Sequence, residues 1–166
     1  MMTLAETILM TQIGYENLLA RITEKEKEYD QVRDHRQVAF ELSGDGWHDN
    51  PEFNRMQQLE ANLNHTLKTL NDRLDVMKFI DIHDGMRNVQ QVEIGSIVKL
   101  RRYDLADDSE IEEIWEIRGF DETNIKLKHL AYNAPLAEKI MHLHVADIAE
   151  EVQIGSRHFD IEVVAL

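Results

Sequence analysis

Asp45, Asp49 and Glu52 lie within one short stretch, SGDGWHDNPEF, residues 43–53, and no Lys or Arg occurs from Ala39 through Asn54. Carboxylates gathered without a basic neighbour either face water or hold a cation. In the first reading Gly44 and Gly46 supply a sharp turn, Asn50 caps the next helix, Pro51 takes its first position and Glu52 meets the positive end of its dipole. Capping leaves Asp45 unexplained. In the second reading two of these carboxylates converge on a hard cation and form part of a Mg²⁺ site, because Mg²⁺ prefers oxygen ligands and is often shared with phosphate. Trp47, with His48 beside it, is out of place in a bend that has no core to offer.

Other chemistries are poorly represented. The chain has no phosphate-binding Gly-rich loop, no G-x-S-x-G elbow and no H-E-x-x-H. Having no Cys, it has no disulfides, thiolate metal sites or Cys nucleophiles. His142 and His144 would share one face of a strand, but without a third ligand at an evident spacing they read as surface or partly buried residues. Trp115 reads as a core residue.

Two long helical patterns flank the acidic stretch. From about Thr11 to Ser43, Leu18, Ile22, Tyr29, Val32 and Ala39 keep one seam, interrupted by Lys25 and Arg36. After Pro51 the seam runs Phe53, Met56, Glu60, Leu63, Leu67, Leu70, Leu74, Met77. The short break forces the helices antiparallel, so residues 1–79 read as a coiled-coil hairpin with its tip at 43–53. Pairing outward from the bend sets Ala39 near Met56, Val32 near Leu63 and Ile22 near Leu74. The same register predicts an Arg36–Glu60 ion pair across the seam and leaves Lys25 near Leu70 with no facing acid, its ammonium reaching water.

Residues 80–91 read as a linker, and 92–166 as a β-rich module. Strands are expected in Val92–Tyr103, Ile111–Ile117, Asn124–Tyr132 and the closing RHFDIEVVAL, with a short helix from Pro135 to about Met141 and a hairpin turn at Gly155-Ser156. The fold class is α+β.

Eighteen basic against thirty-two acidic residues give a net charge of −14, which argues against a broad phosphate-gripping surface and makes nucleic acid a poor direct partner for the molecule as a whole. Neither a secretory signal nor a membrane span is expected; a cytoplasmic monomer is.

Three ordered motifs resemble the GreA/GreB family of bacterial transcript cleavage factors. MTQIGYENLLARI is similar to the family's MT-x-x-G-x-x-x-L opening, GDGWHDNPEF resembles its G-D-L-x-E-N-A-E-Y tip, and YNAPLAEKI resembles its N-S-P-[IL]-[AG] segment. The resemblance implies an FKBP-like C-terminal domain that docks on the rim of the secondary channel of RNA polymerase. It implies a hairpin whose tip carboxylates, Asp45 and Asp49, help hold the polymerase's Mg²⁺ and position a water, so that the polymerase cuts the 3′ end of backtracked nascent RNA. On that reading Trp47, His48, Asn50 and Glu52 support the tip, and Asn133, Ala134, Pro135 and Leu136 dock. The factor has no cofactor of its own and is not itself an enzyme. Departures are concentrated at the tip: Asp45 and Asp49 are four residues apart rather than three, Asp replaces Glu, Gly46-Trp47 replaces Leu and Pro51 replaces Ala. They leave open a relative that enters the same channel and regulates or inhibits without stimulating cleavage. An FKBP-like prolyl isomerase and a coiled-coil chaperone or adaptor are the readings from other classes.

Overall fold

The computed structural model describes residues 7–166, which divide into a helical unit made of 7–8 with 15–77 and a sheet unit made of 9–14 with 78–166. In the helical unit α1 (Gln12–Ser43) and α2 (Pro51–Val76) begin and end within about one residue of the sequence expectation. Every seam position predicted above is buried or half-buried, with Leu18, Ile22, Ala39, Phe53, Met56 and Leu70 closed off most completely. Arg36 Nη1 lies 3.0 Å from Glu60 Oε2, as the register requires, and the Tyr29 hydroxyl donates to the other Glu60 oxygen at 3.5 Å. Both ion-pair partners keep some solvent contact, so the pair contributes at most about 1 kcal/mol and serves mainly as a register marker. Lys25 departs from expectation: its ammonium binds Glu28 on the same helix at 2.7 Å, since an acid one turn away is nearer than bulk water is useful.

β1 (Ile8–Met10) pairs with β2 (Met77–Phe79) as a short ribbon. The main sheet holds β3 (Ile97–Asp104), β4 (Glu110–Arg118), β5 (His129–Ala131), β6 (Ile148–Ile154) and β7 (Arg157–Ala165) in the order β5-β4-β3-β7-β6. All neighbours are antiparallel except β4 and β5. Val98, Leu100, Ile117, Ile161 and Val163 alternate onto one face, and α3 (Pro135–Ile140) covers it with Leu136, Ala137 and Ile140. Trp115 joins that core, and Gly155-Ser156 turns β6 into β7. Residues 80–91 contain one 3₁₀ turn at Asp84–Met86, and Gln91 bridges to His144.

Two expectations are corrected. Asn124–Tyr132 is a strand only over His129–Ala131. The side chain of Asn124 accepts the backbone N–H of Lys126 and of Leu127 and curls 124–128 into a turn, a local bond that outcompetes the alternating pattern. His142 and His144 are not on a strand: His142 sits in a turn at φ 67°, and His144 is held by Asp147. β1 and β2 escaped the sequence reading because three residues carry too little alternation to register.

The glycine of the opening motif has a physical reason. Glu122, nearly buried, accepts the Thr11 N–H and the Thr11 hydroxyl, both at 2.8 Å, while the Thr11 hydroxyl accepts the Gly14 N–H at 3.3 Å. Thr11 thereby caps α1 and Glu122 meets the positive end of its dipole. A Cβ on Gly14 would lie 2.4 Å from Glu122 Oε1, and one on Gly119 would lie 2.2 Å from it. The carboxylate fits only because both neighbours lack side chains.

The outer face of the sheet is ionic. Arg101 binds Glu110, Glu112 and Glu162, and Lys99 binds Glu112 at 2.6 Å. Hydrogen bonds from Lys99, then Arg101, hold the Glu112 carboxyl below its ordinary range, and the Ser109 side chain, with its backbone N–H, does the same for Asp107. A depressed carboxyl stabilises the fold above its unfolded value, and that contribution disappears as pH falls through the folded value. Stability of the sheet unit should therefore stay level from neutral pH to about 5 and decline below about 4, where ordinary carboxyls titrate. Glu112→Gln should flatten that decline in an acid titration followed by urea melts.

Candidate functional site at the hairpin bend

Ser43 ends α1 in helical conformation, and Gly44 follows at φ +52°, the left-handed residue that helices commonly use to stop. Gly44–Asp49 then forms a 3₁₀ turn interrupted at Gly46, whose φ −90° and ψ 16° leave the helical region. Asn50, extended at φ −81° and ψ 110° as the following proline demands, opens α2.

Asn50 holds the bend together. Its side-chain oxygen accepts the N–H groups of Glu52 at 2.9 Å and Phe53 at 3.4 Å, capping α2. Its Nδ2 donates to the Ala39 carbonyl of α1 at 3.1 Å and to the Ser43 hydroxyl, which itself donates to the Ala39 carbonyl at 2.6 Å. One amide thus satisfies the end of one helix and the start of the next. Asn50→Asp keeps the cap and loses both donations; Asn50→Ala loses everything. We expect the Ala variant to cost about 2 kcal/mol and the Asp variant about half as much, measured as faster hydrogen exchange at Glu52 and Phe53 in Ala alone.

Trp47, half-buried, packs against the aromatic rings that flank the bend. Its ring lies 5.1 Å from Phe53, 5.9 Å from Phe40 and 3.4 Å from the His48 ring. These contacts join the 3₁₀ turn to Phe40 of α1 and Phe53 of α2 and stiffen it. Asn54 adds a hydrogen bond to the His48 carbonyl at 3.3 Å. Phe40 and Asn54 lie outside the tip expected at 43–53, and Ser43, inside it, had been given no role; the signal available was an aromatic at each end of the Gly-rich stretch.

Asp45 and Asp49 are both exposed, and neither enters a hydrogen bond or ion pair with another side chain among the described residues. Glu52 is turned to Arg55 at 3.7 Å. In a 3₁₀ turn residues three apart superpose, so Asp45 is in step with His48 and Asp49 follows about 120° further round. The Gly46 kink modifies that offset. Among the described residues no three His, Cys, Asp or Glu side chains gather as a metal site; Asp45 and Asp49 could supply two oxygen ligands to an ion whose remaining ligands come from elsewhere.

The second candidate region lies in the sheet unit. Asn133 accepts the Asp121 N–H and donates to the Asp121 carboxylate, each at 2.9 Å. Pro135, exposed, opens α3, and Ala134 is half-buried. Leu136 points inward, 9% exposed within the core. Asn133, Ala134 and Pro135 are the members of this segment that reach the surface.

No protein-family model matches the chain, and no curated protein matches it. Among solved structures it is similar to GreA factor homolog 1 (Gfh1) of Thermus thermophilus, with 18% identity and a TM-score of 0.45, over 96% of this chain and 98% of that one. Gfh1 of Thermus aquaticus matches with 19% identity and a TM-score of 0.44, over 97% and 98%. A prokaryotic transcription elongation factor GreA/GreB from Nitrosomonas europaea matches with 14% identity and a TM-score of 0.37, over 96% of both chains. The tip and opening motifs and the succession of helical hairpin and sheet unit make this chain similar to GreA/GreB-type transcription factors.

Proposed function

We propose that the chain is a transcription elongation factor that binds RNA polymerase and stimulates cleavage of backtracked nascent RNA, acting in the cytoplasm as a monomer. The sheet unit docks through Asn133 and Pro135 at the rim of the secondary channel, and the hairpin carries its bend toward the active centre. The observation that supports this most is the bend itself: two exposed carboxylates, without partners in the described chain, at the closed end of a stiff helix pair and in a segment with no Lys or Arg. An acidic point can approach a metal-bearing centre, whereas a basic one would be captured by phosphate. The polymerase's Mg²⁺ would activate water and offset charge on the phosphate; Asp45 and Asp49 would contribute oxygen ligands and orient the water. The polymerase remains the enzyme.

RNA length analysis on a backtracked elongation complex tests the reading. Addition of the protein should accelerate shortening of the transcript and release of its 3′ fragment. Gly46 leaves the helical region between the two acids, so no regular helical repeat holds them on one side of the bend, and this favours one second reading, a channel-entering regulator without cleavage activity. Polymerase binding with unaccelerated cleavage would select it.

A further inference from the structure

Residues 124–128 form a turn that is tied down and yet carries apolar side chains into water. The Asn124 side chain accepts the Lys126 N–H at 3.1 Å and the Leu127 N–H at 3.2 Å, and the Ile125 carbonyl accepts the Lys128 N–H at 3.3 Å. Asn124 and His129 exchange both backbone hydrogen bonds at 2.9 Å, closing the base of the turn. Lys128 adopts φ 58°, a backbone conformation that residues other than glycine rarely take, and its ammonium lies 5.2 Å over the Trp115 ring. So rigid a turn would serve stability equally well with Ser, Asp or Gly at its crest. Instead it presents Ile125, 71% exposed, and Leu127, 62% exposed.

The charge of the turn is opposite to that of the molecule. Against a net charge of −14, residues 125–128 carry Lys126 and Lys128 and no acid, and neither Lys is in an ion pair among the described residues. Beside the turn is an open depression of about 380 Å³ lined by Lys99, Glu112, Glu113, Ile114 and Lys128, with Ile114 half exposed at its wall. The turn is also continuous with the Asn133–Pro135 segment, because Asn133 binds Asp121 and the Ala131 N–H donates to Thr123 at 3.0 Å.

We propose that Ile125, Lys126 and Leu127 form an anchor for an acidic, amphipathic protein element, its apolar face on Ile125 and Leu127 and its carboxylates against Lys126 and Lys128. The inference rests on the proposed polymerase partnership and extends its docking footprint beyond Asn133–Pro135. Charge complementarity favours a protein occupant. A nucleic acid would meet aliphatic side chains where stacking needs aromatics or Arg, on a chain whose field repels phosphate.

The test is binding of the full chain to core RNA polymerase at two salt concentrations, with circular dichroism as the fold control. Ile125→Ser with Leu127→Ser should raise Kd by about tenfold or more. Lys126→Glu should raise Kd and weaken its salt dependence, and Ile148→Ser, an exposed apolar residue on β6, should stay within about twofold. Should the double variant lose its fold, Ile125→Gln alone gives the same reading. Wild-type chain that fails to bind polymerase overturns both the proposed function and this anchor. Wild-type binding that survives the Ile125 and Leu127 changes overturns the anchor alone. Loss in Lys126→Glu only, with the apolar variants unaffected, identifies a purely electrostatic contact and also overturns it.

Discussion

Converting Asp45 and Asp49 together to Asn is expected to cut stimulation of transcript cleavage by about a hundredfold while polymerase binding stays within about twofold. Asn keeps the size of Asp and the 3₁₀ turn loses no hydrogen bond, because neither carboxylate makes one to another side chain among the described residues. What is lost is charge and the capacity to bind an ion without protons in the way. Each single variant should lose nearly as much as the double, since two ligands that act on one ion act as a unit. Single-turnover cleavage of a stalled complex at saturating factor reads the rate, and competition with labelled wild-type protein reads the binding. Equal rates for wild type and the double variant would remove the proposed mechanism, and equal rates no faster than polymerase alone would leave the regulator.

A second large effect is expected far from the tip. Gly119→Ala should lower the melting temperature of the sheet unit by roughly 10–20 °C, as measured by calorimetry. The added methyl would occupy the position of Glu122 Oε1, 2.2 Å away, with the Leu9 carbonyl at 3.1 Å closing the other side. The carboxylate must then leave its seat, and the buried Thr11 N–H and hydroxyl lose their acceptors, at a cost of about 3 kcal/mol together. Glu122→Ala pays that cost by another route. On a Glu122→Ala background, Gly119→Ala should therefore add little, a non-additivity that separates displacement of the carboxylate from any strain in the Gly119 backbone. Independent, additive losses would show that the seat is not the reason for the glycine.

The helical unit was legible because its signals are local and repeated: seam residues such as Leu18, Ile22, Met56 and Leu70, and the Asn50-Pro51 start, each dictate their own turn of helix. The Arg36–Glu60 pair followed from counting outward from the bend. The sheet unit was read less completely. Asn124 overrode an alternating pattern with side-chain bonds that no periodicity reveals, and β5 adds to β4 in parallel through a connection the pattern does not announce. At the tip, the acids and the cap were visible in residue types. The Asn50 donation to the Ala39 carbonyl and the packing of Trp47 on Phe40 and Phe53 depend on where two helices meet, which sequence order does not specify. Leu136 shows the converse: the resemblance implied a docking role for it with Asn133, Ala134 and Pro135, and the helix period turns its side chain into the core.

The pairing of Asn50 with Pro51 bears on chemical ageing. Asparagine deamidates when the next residue's backbone nitrogen attacks its side-chain carbonyl to close a succinimide ring, and proline's nitrogen carries no proton to release. Residue 50 therefore sits in the one dipeptide context that blocks this route, and the amide that spans both helices is shielded from slow conversion to a carboxylate over the lifetime of the molecule.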